Sequence, residues 1–224
     1  MQAAGLGALR TYAEAANPAA DIPASTLLID TPHTIAIFDA YPKARYHFLV
    51  LPRLPSDLGP SITARDLDSL ASLLRLPHAA RDAVLRAMRN AATEVEEMVR
   101  DEMLKTEGWQ WPVLAGFHAV PSMRHVHLHV ISSDLVSPSL KTKKHYNSFR
   151  PDLGFFVSLD EVEEWCSDSD SQLAERQAGM LQSREQLLRE PLACFKCHAE
   201  LRNMPLLKEH LELELAKERC AAGR

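Results

Sequence analysis

Apolar and polar residues alternate strictly along His125-Val126-His127-Leu128-His129-Val130. That period of two predicts a strand over His125 to Ser132, with three imidazoles on one face and Val126, Leu128 and Val130 packed behind them. Val113 to His118 completes the same sheet. Earlier, Leu27 to Asp30, Thr34 to Asp39 and Phe48 to Leu51 are short strand-forming runs broken at Thr31-Pro32 and Tyr41-Pro42, which predicts an antiparallel meander. The period then lengthens to three and four residues over Thr63 to Leu74 and Pro77 to Leu104. In the second of these helices Val84, Met88, Ala91, Val95, Met98 and Glu102 share the stripe expected to cover one sheet face. Leu6 to Ala16 reads as a short helix closed by Asn17-Pro18, packed on the core or lying over the entrance to a site. Ser158-x-x-Glu161 is a capping box opening another helix, and Gln172 to Arg189 forms a further one. Ser167-Asp168-Ser169-Asp170-Ser171 has linker composition. The fold class expected is α+β, an antiparallel sheet with flanking helices.

The 224 residues are 46% hydrophobic and 25% charged, enough for one core and a small appendage. The division expected is a catalytic domain over 1–155, a helical connector over 156–190 and a small C-terminal module over 191–224. No apolar run approaches the ~20 residues that span a bilayer, and Met1-Gln2-Ala3-Ala4-Gly5 lacks the basic start of a signal peptide. With only four cysteines, the expectation is a soluble protein of a reducing, intracellular compartment with no membrane partner. The net charge of -5 hides an asymmetry: residues 1–150 sum to +1 and residues 151–224 to -6. Between Arg124 and Arg150 stand Arg124, Lys141, Lys143, Lys144 and Arg150 against the single acid Asp134. A basic strip beside the histidine row suits a polyanionic substrate, since phosphate contacts supply most non-specific affinity.

Imidazole titrates near neutrality and serves as nucleophile, proton donor or metal ligand, so the row reads as a reaction centre, with His118 seven residues upstream. Two chemistries fit. Three histidines could hold a catalytic zinc with an open position, although Gln110 to Ser133 contains no carboxylate to orient them. Alternatively the central imidazole attacks phosphorus while its neighbours and backbone amides neutralise the developing charge. Separately, Cys194-Phe195-Lys196-Cys197 precedes His210 and Glu214, which lie four residues apart on one face of a helix that Pro205 opens. The spacing is close to that of a zinc finger, with Glu214 in the place usually held by histidine. Cys166 and Cys220 read as free thiols.

The row resembles the signature of the histidine triad (HIT) nucleotide hydrolases and transferases, His-x-His-x-His with apolar x. Asp39, Pro42, His47 and Phe48-Leu49-Val50-Leu51-Pro52 match the layout of that family's early strands. Tyr41 to His47, Phe117 to Met123 and Ser137 to Phe149 are similar to the branch that hydrolyses 5′-adenylated DNA ends. The resemblance implies a HIT-like fold with a C-terminal zinc finger. It implies His127 as nucleophile, His125 and His129 as phosphate holders, and His118 as a protonated acid near the leaving oxygen. It assigns the nucleotide to Asp39, Lys43, His47 and Ser122, the DNA strand to Arg124, Lys141, Lys144 and Ser148, and zinc to Cys194, Cys197, His210 and Glu214. The partners implied are nicked or damaged DNA carrying a 5′-adenylate, with AMP as product, in the nucleus or additionally the cytoplasm. Zinc is expected to be structural, with no cofactor for the chemistry. Some relatives carry an N-terminal phosphopeptide-binding domain; this chain is expected to begin at its catalytic part. Two other readings stay open: a HIT hydrolase of dinucleotide polyphosphates or AMP-lysine, and a non-catalytic nucleic-acid binding module.

Overall fold

A computed structural model of the chain describes residues 5, 7–55, 57–58, 62–167 and 171–222. The linker sequence around Asp168 to Asp170 lies outside the described residues. Six strands form one antiparallel sheet: β1 Leu27–Asp30, β2 Thr34–Phe38, β3 His47–Pro52, β4 Val113–His118, β5 Leu128–Ser132 and β6 Phe156–Ser158, in the order β1-β2-β3-β5-β4-β6. The early meander stands as read from the sequence, with Phe38 facing Phe48 and Thr34 facing Pro52. β3 then pairs with β5, bringing Leu49 opposite His129. β6, which sequence reading missed, pairs with the end of β4 and so extends the sheet beyond residue 155.

One sheet face is covered by α4 (His78–Glu107), a helix of 30 residues closed by Gly108 at φ 73. Only glycine adopts that left-handed cap without strain. Its buried stripe begins as predicted with Val84, Met88, Ala91 and Val95 but continues through Val99 and Met103, leaving Met98 exposed. The contact line winds round the helix as it crosses a twisted sheet. The helix read over Thr63 to Leu74 shrinks to α3 (Leu70–Leu74), because Ser69 caps it by accepting the Ser72 amide, and turns precede it. The N-terminal helix is α1 (Ala8–Ala13); Pro18, read as a stop, instead opens the short α2 (Pro18–Asp21).

The opposite face is covered by α5 (Lys143–Asn147), a 3-10 helix over Leu181–Arg189, and α8 (Met204–Ala222). α6 (Leu159–Ser167) follows the Ser158 cap, and α7 (Ser171–Met180) runs into the 3-10 segment where one continuous helix was expected. Ile131, Tyr146, Phe149 and Phe156 share one apolar cluster with Leu192, Cys194, Leu207 and Leu211 of the C-terminal region. The finger region is therefore packed into the core of the sheet rather than hung from it.

Candidate active site

A cleft of about 450 Å³ opens where β3, β5 and β4 meet the C-terminal elements, lined among others by Asp39, Lys43, Ser122, His127, His129 and His118. Its position follows from register. His47 and Leu49 on β3 and His129 on β5 point to the same face, and Asp39 follows β2 directly, its amide bonded to the His47 carbonyl.

The histidine row is not one strand. β5 begins at Leu128, and His125 takes φ 83, a left-handed conformation that side chains seldom adopt. The Val126 amide donates to the Leu67 carbonyl at 2.6 Å, drawing the chain off the ladder. His125 is thereby turned away from the cleft, and its Nε2–H donates to the Pro52 carbonyl at 2.7 Å. This corrects the expectation of three imidazoles on one strand face. The detour has a chemical consequence, because it aims the His125 carbonyl at His127 Nδ1, 2.8 Å away. A carbonyl only accepts, so His127 carries its proton on Nδ1 and leaves the Nε2 lone pair for the cleft.

A second chain of bonds fixes the other rings. The Lys43 amide donates to His47 Nδ1 at 3.1 Å, so the His47 proton lies on Nε2, 3.0 Å from His129 Nδ1. His129 must then hold its proton on Nε2, a buried atom with no partner among the described residues. It is a donor waiting for an acceptor. Burial lowers the pKa of all these imidazoles: His47 and His125 fall to about 4, and His118 and His129 lie well below the ordinary value. Burial also lowers His127, while its bond to His125 and the charge of Asp39 oppose the shift. His118 packs against His129 and Phe149 with ring centroids 4.3 and 4.6 Å away, and its burial disfavours the protonated form that an acid needs.

Around the imidazoles stand the charges. Asp39 accepts the Tyr41 amide at 2.6 Å, and Lys43, lowered by burial, bonds the Tyr41 carbonyl. From α5 the cleft receives Lys144 and His145, followed by Ser148 and Phe149. Arg124 and Lys141 do not line it. Lys143 and Arg150, counted in the basic strip, are used elsewhere: Lys143 bonds the Arg189 carbonyl, and buried Arg150 pairs with Asp152 and the Pro191 carbonyl. Sequence reading missed His145, Phe149, Glu185 and Leu188 as lining residues. Only the last two lacked any signal, since they arrive from the 3-10 helix through tertiary packing.

At the finger, Cys194, Cys197 and His210 bring their ligand atoms within 4.8 Å of one another, and Glu214 Oε1 stands 3.8 Å from His210 Nε2. Two thiols, an imidazole and a carboxylate are a donor set zinc accepts, so the four residues fit that ion. His198, at φ 60, turns the knuckle so that its amide donates to the Cys194 carbonyl.

Comparisons with known proteins agree with this geometry. A family model described as scavenger mRNA decapping enzyme C-terminal binding matches residues 17–145, and a C2HE / C2H2 / C2HC zinc-binding finger matches residues 152–217. An aprataxin-like protein of Saccharomyces cerevisiae is 32% identical over 190 residues, covering 80% of this chain and 82% of that protein. The chain belongs to the aprataxin family. Aprataxin of Gallus gallus is 36% identical over 184 residues, covering 82% of this chain but 49% of its own length. The chain thus spans about half the length of the vertebrate aprataxins it matches. A crystal structure of the aprataxin ortholog Hnt3 in complex with DNA superposes with a TM-score of 0.65 at 24% identity, covering 93% of this chain and 94% of that one. The fold of the aprataxin family, a HIT-like sheet with a C-terminal finger, is the fold of this chain.

Proposed function

We propose that the protein removes AMP from 5′-adenylated DNA ends left by abortive ligation, acting in the nucleus in strand-break repair. The observation that carries this reading is the tautomer of His127, whose Nδ1–H is held by a carbonyl so that Nε2 meets the cleft as a neutral nucleophile. His127 Nε2 attacks the α-phosphorus, a P–N bond forms, and the P–O bond to the DNA 5′-phosphate breaks. Water then hydrolyses the adenylyl-histidine, releasing AMP.

The rest of the cleft supplies position and charge. His129 Nε2–H donates to a phosphate oxygen, oriented through His47 and the Lys43 amide. Asp39 accepts the ribose hydroxyls, Lys43 and Ser122 flank the nucleotide, and Lys144 and Ser148 hold the departing strand. Arg124 and Lys141, outside the cleft, meet DNA beyond the reacting phosphate. His118 is neutral until phosphate charge enters beside it and raises its pKa, so the proton for the leaving oxygen is taken up with the substrate. Zinc in the finger is structural, and these residues carry the chemistry without it. The family relationship supports the substrate class, as does the DNA complex of Hnt3.

The test is AMP release from a nicked duplex carrying a 5′-adenylate. The parent should release AMP, and His127→Asn should lose at least 10⁴-fold while still binding AMP, a loss on the scale of removing a nucleophile. Raised salt should weaken DNA binding steeply. Turnover of small adenylated compounds with silence on DNA would overturn the substrate assignment, and full activity in His127→Asn would overturn the mechanism.

A further inference from the structure

Two groups of metal-ligating side chains stand out among the described residues. One is the finger. The other is Asp39, His47 and His129, which offer one ligand atom each within 4.8 Å of the other two. We propose that this second trio binds a divalent transition-metal ion such as Zn²⁺, and that the bound ion inhibits the protein by occupying the phosphate end of the cleft.

The donor set selects the ion. Two imidazoles and a carboxylate suit zinc, nickel or copper and suit magnesium or calcium poorly, since those ions take oxygen ligands almost exclusively. The scaffold assembles the set in advance: Asp39 follows β2, His47 opens β3 and His129 sits on β5, three adjacent strands of one sheet. Two donors held on strands and a third at a strand's end need little ordering when the ion arrives. Three protein ligands leave a fourth position for water or a phosphate oxygen, and Asp39 and His129 both line the cleft, so that position faces it.

His47 Nε2 and His129 Nδ1 lie 3.0 Å apart and share one proton. Two nitrogens at Zn–N lengths of about 2.05 Å sit about 3.4 Å apart in a tetrahedral site, so the rings need to part by only about 0.4 Å. The ion takes the place of the shared proton, which moves to His47 Nδ1, the nitrogen 3.7 Å from Asp39 Oδ2. The Lys43 amide bond to that nitrogen is given up. No proton is lost to solvent and no electron is transferred. Occupancy ties up Asp39 and breaks the chain of bonds that orients His129. That inhibitory consequence rests on the function proposed above, whereas binding of the ion does not.

The test counts zinc per chain. Protein whose finger is already loaded is dialysed against buffered free Zn²⁺ at rising concentration, with and without AMP. The parent should take up a second ion, Asp39→Asn and His47→Gln should stop at one, and AMP should raise the free zinc needed for half-filling at least tenfold. Retention of the first ion and an unchanged circular dichroism spectrum report that the variants are folded. One ion per chain in the parent overturns the site, as does a second ion that persists in both variants. A second ion lost in both variants but indifferent to AMP overturns the inhibitory role. Failure of AMP to bind the single-zinc protein counts against the nucleotide reading alone.

Discussion

His125 shows how one residue's backbone sets the chemistry of its neighbour. Its left-handed φ costs on the order of 1–3 kcal/mol, and in return its carbonyl holds His127 in the tautomer that leaves Nε2 free. The same burial that keeps the imidazoles neutral makes them a liability in acid. His47 and His125 have native pKa values of about 4 against about 6.5 unfolded, so the unfolded chain binds more protons between those values. Their contribution is complete above pH 6.5 and is lost as pH falls toward 4, amounting to about 2 kcal/mol each at pH 5. Urea midpoints should therefore drop between pH 7 and pH 5. His47→Gln should flatten that slope even though it removes the bond to His129. At this scale the sequence showed which side chains would gather, since His118, His127, His129, Asp39 and Lys43 all reach the cleft. It could not show that His125 turns away, because alternation says nothing about a φ angle.

Among the elements, α5 connects the finger to the cleft. Tyr146 donates its hydroxyl hydrogen to the Ala193 carbonyl at 3.0 Å and accepts the Phe195 amide at 3.1 Å; the Asn147 amide bonds the Leu188 and Glu190 carbonyls. The other side of the same short helix presents Lys144 and His145 to the cleft. Tyr146→Phe should lower stability by about 1–2 kcal/mol by stranding the Phe195 amide, and should weaken DNA binding without changing the His127 chemistry. Thermal melts and a comparison of KM with kcat separate the two effects. β4 and β6 depend on a close approach at Gly116, where a Cβ would meet Phe156 Cε1 and the Val157 carbonyl oxygen, each at 2.6 Å. Gly116→Ala should cost about 1–3 kcal/mol and pry β6 from the sheet, detectable as lost amide protection at Val157. Periodicity placed α4 and the meander correctly because burial on one face repeats locally. It missed β6, three residues long, because a strand that short shows hardly more than one period.

For the whole molecule, the finger shares a core with the body that carries the sheet. Leu207 and Leu211 of α8 pack with Ile131, Phe149 and Phe156 of the sheet side, Lys208 bonds the Ser137 carbonyl, and Arg219 bonds the Glu107 carbonyl. Cys197→Ser, or stripping zinc with a chelator, should lower the melting temperature of the whole protein in one transition and weaken DNA binding together with AMP release. A separate low-temperature transition confined to the finger would contradict a shared core. No helix among the described residues is long and apolar enough to cross a membrane. The sequence by itself determined the residue types available for chemistry, the early meander and the cysteine–histidine spacing of the finger, because residue type and local spacing specify these directly. Only the tertiary structure decided which imidazole nitrogens are protonated, that burial disfavours the charged form of His118, that Lys143 and Arg150 are used in structure, and that Glu185 and Leu188 wall the cleft. Those properties depend on carbonyls, burial and partners contributed by segments distant along the chain, and no local pattern encodes them.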